Sequence, residues 1–262
     1  MTPRHAVTAL LCLLPLGGCD DAAEPEAPIA VRGHAFNFGP PGGGLVGAEI
    51  WVLEQPDLRV TTGEGGAFEI TDLPPGGEIT LVLDGADRPA YQTATFQAEG
   101  HDLERFTLQT PTWEIYNLLK AFIRQDLDAE HTCQIASTVT RRGHDLYDGV
   151  GTHGEPGATV FLDPPPPESS GPIYFNLITY DTIYPDPALT ETTDDGGVLF
   201  VNVPPGDYLL RAEKAGATIR PVRIKCRAGL VVNGSPPWGL QVLEGGLEPR
   251  APGDPGPFVP DR

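Results

Sequence analysis

Lysine is the scarcest charged residue in this chain. Only three are present among 262 residues, and arginine brings the basic total to just 17 against 36 acidic groups. The formal charge of −19 excludes nucleic acid as a partner, because phosphate contacts need clustered lysine and arginine. No apolar run reaches the roughly twenty residues that carry a helix across a bilayer. Catalytic signatures are missing too: the chain has no Gly-x-Ser-x-Gly, no His-Glu-x-x-His and no phosphate-binding glycine loop. Paired Cys-x-x-Cys and His-x-x-x-His spacings, the usual marks of a metal centre, are also absent. What the chain has in quantity is 32 glycines and 29 prolines. Each destabilises a helix interior, so short strands joined by many turns are expected. With 40% hydrophobic and 8% aromatic residues, a core can still be built.

Residues 1–19 read MTPRHAVTALLCLLPLGGC. Arg4 and the free amine make a short positive start, and residues 6–16 form an apolar run of signal-peptide length. The run ends in Leu16-Gly17-Gly18-Cys19, which resembles the lipobox of bacterial lipoprotein signal peptides. That resemblance implies a signal peptide over 1–18, cleavage after Gly18, and acylation of Cys19, which would then hold the chain on a lipid bilayer. The alternative is an ordinary secretory signal that happens to end in cysteine. Asp20 and Asp21 follow, resembling an inner-membrane retention signal, and 19–28 read as an acidic, disordered tether. The expected location is the bacterial cell envelope, facing the periplasm or the exterior.

A pattern occurs twice. Gly47-Ala48-Glu49-Ile50-Trp51-Val52, Thr61-Thr62-Gly63-Glu64-Gly65-Gly66 and Leu73-Pro74-Pro75-Gly76 form the first copy. Gly157-Ala158-Thr159-Val160-Phe161-Leu162, Thr192-Thr193-Asp194-Asp195-Gly196-Gly197 and Val203-Pro204-Pro205-Gly206 form the second. The Gly-Ala step opens a strand, the acidic Gly-Gly tip suits a tight turn, and Pro-Pro-Gly ends one strand and redirects the chain. This order resembles the carboxypeptidase regulatory-like domain, a family of transthyretin-like Greek-key β-sandwiches. The resemblance implies an all-β fold of two tandem sandwiches, over 29–110 and 129–244, and carries no catalytic activity with it. Thr-Thr follows Gly-Ala 14 residues on in the first copy and 35 in the second. The excess lies in an insertion over 163–187, with Pro164–Pro167 read as a stiff spacer and an aromatic stretch as an added strand or hairpin.

Between the copies, 110–127 carry the one convincing helical pattern, within a connecting unit over 111–128. Thr110 is the expected cap, Pro111 the first helical residue, and Ile115, Leu118, Leu119, Phe122 and Ile123 the packing stripe. Residues 245–262 read as a disordered tail.

With Cys12 in the signal and Cys19 acylated, Cys133 and Cys226 remain. An exported chain makes one disulfide their simplest reading, with two free core thiols as the alternative. A metal site from Cys133, Cys226 and His131, the pair His101/Glu104, and calcium at Asp145/Asp148 or Asp194/Asp195 lack supporting spacing. Tyr147, Tyr174, Tyr180, Tyr184, His131, His144 and His153 would be the pool for an intradiol-dioxygenase-like iron site, a remote alternative without the expected His-x-His pair. No cofactor is expected.

The leading reading is a non-enzymatic envelope lipoprotein whose sandwiches serve structural or protein-interaction roles. The second is a carbohydrate-binding module that stacks envelope polysaccharide on Tyr174, Phe175, Tyr180 and Tyr184. Its opposite is that these aromatics turn into the core of an extra strand pair.

Overall fold

The computed structural model describes residues 27–39, 42–85, 87–97, 100–144, 153–179 and 182–247. The expected signal peptide, Cys19, Tyr147, Tyr180, Asp145, Asp148 and most of the tail lie outside them. The fold is all-β, with one α-helix among the described residues.

The first half contains β1 (Ile29–Phe38), β2 (Glu49–Val52), β3 (Gln55–Thr61), β4 (Ala67–Leu73), β5 (Glu78–Ile79), β6 (Leu81–Asp84), β7 (Tyr91–Thr93), β8 (Phe96–Gln97) and β9 (Leu103–Pro111). Helix α1 (Trp113–Ile123) follows. The second half contains β10 (Cys133–Thr140), β11 (Thr159–Asp163), β12 (Ile173–Thr179), β13 (Thr182–Asp186), β14 (Gly197–Val203), β15 (Gly206–Glu213), β16 (Thr218–Ile219), β17 (Val222–Cys226), β18 (Val231–Asn233) and β19 (Leu240–Glu244).

Each half repeats one pairing scheme. In the first, β1 lies between antiparallel β4 and parallel β9, while β2 pairs with β6 and β6 with β7. In the second, β10 lies beside antiparallel β14 and parallel β18 and β19, while β11 pairs with β15 and β15 with β17. Alternate residues point inward, so each half has its own core. One is built on Val31, Ile50, Ile70, Leu83 and Leu108, the other on Ile135, Val160, Phe200, Leu210 and Ile224.

The recurring motif has a common hydrogen-bond basis. The Thr62 hydroxyl accepts the Ala48 N–H (2.9 Å) and donates to the Leu45 carbonyl. The Thr192 hydroxyl accepts the Ala158 N–H (2.9 Å) and donates to the Glu155 carbonyl (2.6 Å). Thr62 is therefore the counterpart of Thr192, one residue later than the Thr-Thr alignment assumes. Gly66 and Gly196 close the same turn at φ +79° and +74°. A Cβ there would meet the Ala35 carbonyl oxygen at 2.0 Å or that of Val139 at 2.3 Å, so only glycine fits.

The two halves are welded by shared sheet. Strand β18 pairs in parallel with β10 on one side and with β7 of the first half on the other. One sheet thus runs β13-β12-β14-β10-β18-β7-β6-β2-β3 through both halves. Polar contacts reinforce this joint. Lys225 Nζ reaches Glu54 (2.6 Å) and Glu78 (2.9 Å), Arg223 reaches Glu78 (2.6 Å), and the Gln92 side chain donates to the Lys225 carbonyl. Burial by itself would lower the Lys225 ammonium, but its hydrogen bonds to Glu54 and Glu78 hold it above its ordinary value. The same bond holds the Glu78 carboxyl below its ordinary value.

Cys133, at the start of β10, and Cys226, at the end of β17, form a disulfide with Cα atoms 5.7 Å apart. It ties the long sheet to the facing sheet β11-β15-β17. Helix α1 starts later than the sequence suggests. Thr110 and Pro111 belong to β9, paired with Asn37 and Phe38, so Thr112 is the cap and accepts the Ile115 N–H at 3.3 Å. Of the expected packing stripe, Ile123 is buried while Leu118 (54%) and Phe122 (43%) stay exposed.

Candidate functional site

Strand β10 shows how a site arises beside the core. Cys133, Ile135 and Val139 point into the second core, while Gln134, Ala136 and Thr138 sit on the opposite face beneath α1. On β14, Val198 and Phe200 enter that core while Leu199 and Val201 face the helix side. Ile123 packs on Ile173 and Val201 and pins the end of α1 to this face. The insertion supplies the next wall. β12 and β13 form a hairpin that extends the long sheet beyond β14, and Tyr184 meets Phe122 of α1 with ring centres 5.3 Å apart.

Small residues on the sheet and a helix held at few points leave space between them. The result is a cavity of about 300 Å³, at the lower end of small-molecule sites. Phe36, Phe38, Leu119 and Ile183 contribute apolar wall, and Lys120 also lines it. The hydroxyl oxygens of Tyr91, Tyr116 and Ser137 are fully buried behind this lining and make no full hydrogen bond among the described residues. Tyr91 Oη lies near the Gln109 backbone and the Asn233 side chain without a full hydrogen bond to either. Burial pushes both tyrosine hydroxyls above their ordinary value, so they stay neutral and can donate. Buried Asp195 and His153 also line the cavity. Burial pushes the Asp195 carboxyl up, against the opposing influence of His153 and of the Gly197 N–H that it accepts.

The residues singled out from the sequence are dispersed. Tyr174 and Phe175 are buried, at 1% and 7% exposure, so they form no sugar-stacking platform. Tyr174 turns inward because its hydroxyl accepts the Val160 N–H at 3.0 Å across the sandwich. Phe175 lines the cavity instead, and the Tyr184 hydroxyl accepts from Asn176 at 3.1 Å. The disulfide occupies both sulfurs of the Cys133/Cys226/His131 combination, and His131 pairs with Asp128 at 3.0 Å on the surface. Glu104 binds Arg32 at 2.7 Å and Asp194 binds Arg141 at 2.8 Å. Among the described residues no group of three or more His, Cys, Asp or Glu side chains is placed to hold a metal ion. No helix there is long and apolar enough to cross a membrane.

Sequence reasoning missed the cavity because ten separated segments line it. The available signal was faint: a strand with Ala136 and Thr138 on its second face, next to a helix with a large apolar stripe.

No protein-family model matches the chain, and no curated protein does. Among solved structures it is similar to the Bacillus anthracis TIE protein (15% identity, TM-score 0.26, 79% of this chain and 33% of that one). It is also similar to GBS52, the minor pilin of Streptococcus agalactiae (11%, TM-score 0.27, 86% and 99%). A third is the shaft pilin spaA of Lactobacillus rhamnosus GG (9%, TM-score 0.22, 85% and 100%). The chain spans about a third of the Bacillus anthracis protein. Similarity at these scores carries no argument about this chain.

Proposed function

We propose that this chain is a lipid-anchored envelope protein whose two carboxypeptidase regulatory-like sandwiches act together as one non-enzymatic interaction body. In this reading residues 1–18 are removed, Cys19 carries the lipid, and 19–28 space the body from the bilayer. The observation that supports the interaction role is the joint. A strand of the second half is hydrogen-bonded on both edges, once within its own sandwich and once to the first. A flexible pair of beads would present two independent surfaces. Sandwiches sharing one sheet present a single surface of fixed geometry, as a structural or adhesive part requires.

Membrane fractionation of wild type and Cys19→Ser tests the anchor: wild type partitions with membranes and lacks residues 1–18 by mass, while the variant carries no lipid. A wild-type protein found unlipidated would sink it. Crosslinking in intact cells tests the interaction role, with a specific envelope protein captured by wild type and lost when Lys225→Glu breaks the joint.

A further inference from the structure

We propose that the cavity beneath α1 binds a small apolar molecule ending in a single carboxylate, with the Lys120 ammonium as its counter-charge. This site is independent of the anchoring and interaction roles. Tyr116, Leu119, Lys120 and Ile123 follow the i, i+3, i+4, i+7 spacing of one helix face, and all four line the cavity. Lys120 is the one charged member of that stripe. Its stem can lie along apolar wall while the ammonium, on a side chain 37% exposed, stays at the rim. The chain has three lysines, and the other two are held by close carboxylates: Lys214 by Glu155, and Lys225 by Glu54 (2.6 Å) and Glu78 (2.9 Å). Among the described residues Lys120 has only Asp126, which is 3.9 Å away and fully exposed. A cation on the inward stripe without a close partner points to an anion that arrives from outside.

The rest of the polar lining sorts by what each group has already spent. Gln134 accepts the Asn202 N–H (2.9 Å) and donates to the Thr132 hydroxyl (3.2 Å), so its amide is used. Asp195 accepts the Gly197 N–H (3.1 Å) and feels the nearby His153, so this acid needs no ligand cation. Asn233 spends its oxygen on the Ser235 N–H (3.0 Å), which leaves its NH2 group as a donor. The Gln109 side chain has no partner among the described residues. The unspent groups are thus one cation and amide donors, a set that takes a carboxylate. A doubly charged phosphate would call for more than one cation. A second carboxylate on the ligand would have to lie near Asp195, the cavity's own buried acid, so a monoanion is selected. The apolar body rests on Phe36, Phe38 and Ile183 and above Ala136, which is only half-buried in mid-strand because it faces this space.

The test titrates the full-length chain calorimetrically, at matched detergent and neutral pH, with octanoate, octanamide (its uncharged isostere), octylammonium and octanedioate. The proposal expects saturable binding of octanoate and weaker binding of the other three. Lys120→Met keeps an unbranched side chain and good helix propensity. It weakens octanoate about five- to tenfold, allowing for the partial exposure of the ammonium, and leaves octanamide unchanged. Ala136→Leu fills the floor and weakens octanoate and octanamide alike, with circular dichroism confirming that both variants fold. If Ala136→Leu does not fold, Lys120→Met decides alone. No saturable octanoate binding, any of the other three ligands binding as tightly as octanoate, or octanoate binding indifferent to Lys120→Met or to a folded Ala136→Leu would each overturn the proposal.

Discussion

Replacing both Cys133 and Cys226 by alanine removes the clamp between the two sheets of the second half. The cysteines are 93 residues apart, and the chain-entropy relation for a loop of that length gives about 4.6 kcal/mol at 298 K. That figure measures freedom restored to the unfolded chain, and residual structure there makes the measured loss smaller, about 3–4 kcal/mol. A packing contribution adds to it. Both side chains are fully buried among Val203, Ile224 and their neighbours, and two missing sulfurs leave a void worth roughly 1 kcal/mol. Reduced wild type separates the two contributions, since it loses the crosslink but keeps the sulfur volume. Urea unfolding followed by circular dichroism should order the proteins as oxidised, reduced, then double alanine. The larger gap lies between the first two. The urea slope should rise when the bond is lost, because a freer unfolded chain exposes more surface. If reduction costs less than about 1 kcal/mol with an unchanged slope, the bond does not constrain the unfolded chain and the reasoning fails.

Lys225→Met tests the joint between the halves. Arg223 still neutralises Glu78 and Thr80 still donates to Glu54, so the expected loss is moderate, about 1–2 kcal/mol after allowing for partial exposure. The depressed Glu78 carboxyl contributes stability that is present above its ordinary value of 4.5 and lost as pH falls through its lower folded value. The raised Lys225 ammonium contributes stability that is present below 10.5 and lost as pH climbs through its higher folded value. Stability measured against pH should therefore flatten at both ends in the variant, and an unchanged profile would refute the pairing. Thr62→Val and Thr192→Val keep side-chain size but strand the Ala48 and Ala158 N–H groups. Each should cost about 1–3 kcal/mol by urea unfolding, with similar losses at the two sites. A marked inequality would mean that the two turns are not equivalent.

The sequence was most informative where a local motif had a local cause. Gly-Ala, threonine and the Gly-Gly turn form one hydrogen-bonded unit in each copy, so the repetition is legible in the sequence itself. The Cys133–Cys226 bond was the simpler of two readings, the other being free thiols, once Cys12 and Cys19 were assigned to the expected signal and lipid site. Errors entered where tertiary pairing overrode local preference. Thr110 is as good a cap as Thr112, but β1 holds it in β9 through the pairing with Asn37. An aromatic-rich stretch looks alike whether it lines a surface or a core. The burial of Tyr174 depends on its reach to Val160, contributed by another strand. The shared sheet was also illegible, because Val231-Val232-Asn233 reads as an ordinary short strand whichever neighbours it has.

These two kinds of error meet at the same face of the second half. If α1 and the insertion served only to cover β10 and β14, the cheapest cover would be a close-packed one, since unfilled space and unpartnered hydroxyls both cost stability. The structure departs from that solution in three ways: α1 is pinned by Ile123 while Leu118 and Phe122 remain exposed, Ala136 lies beneath it, and the Tyr91 and Tyr116 hydroxyls make no full hydrogen bond among the described residues. A single packing fault would explain one of these features. Together they share one consequence: α1 is attached through Ile123 and the Phe122–Tyr184 contact rather than along its whole length, so it is held by fewer contacts than the strands of either core. Amide exchange should therefore show α1 losing protection before β2 and β6 of the first core, and equal protection in the three elements would overturn this reading.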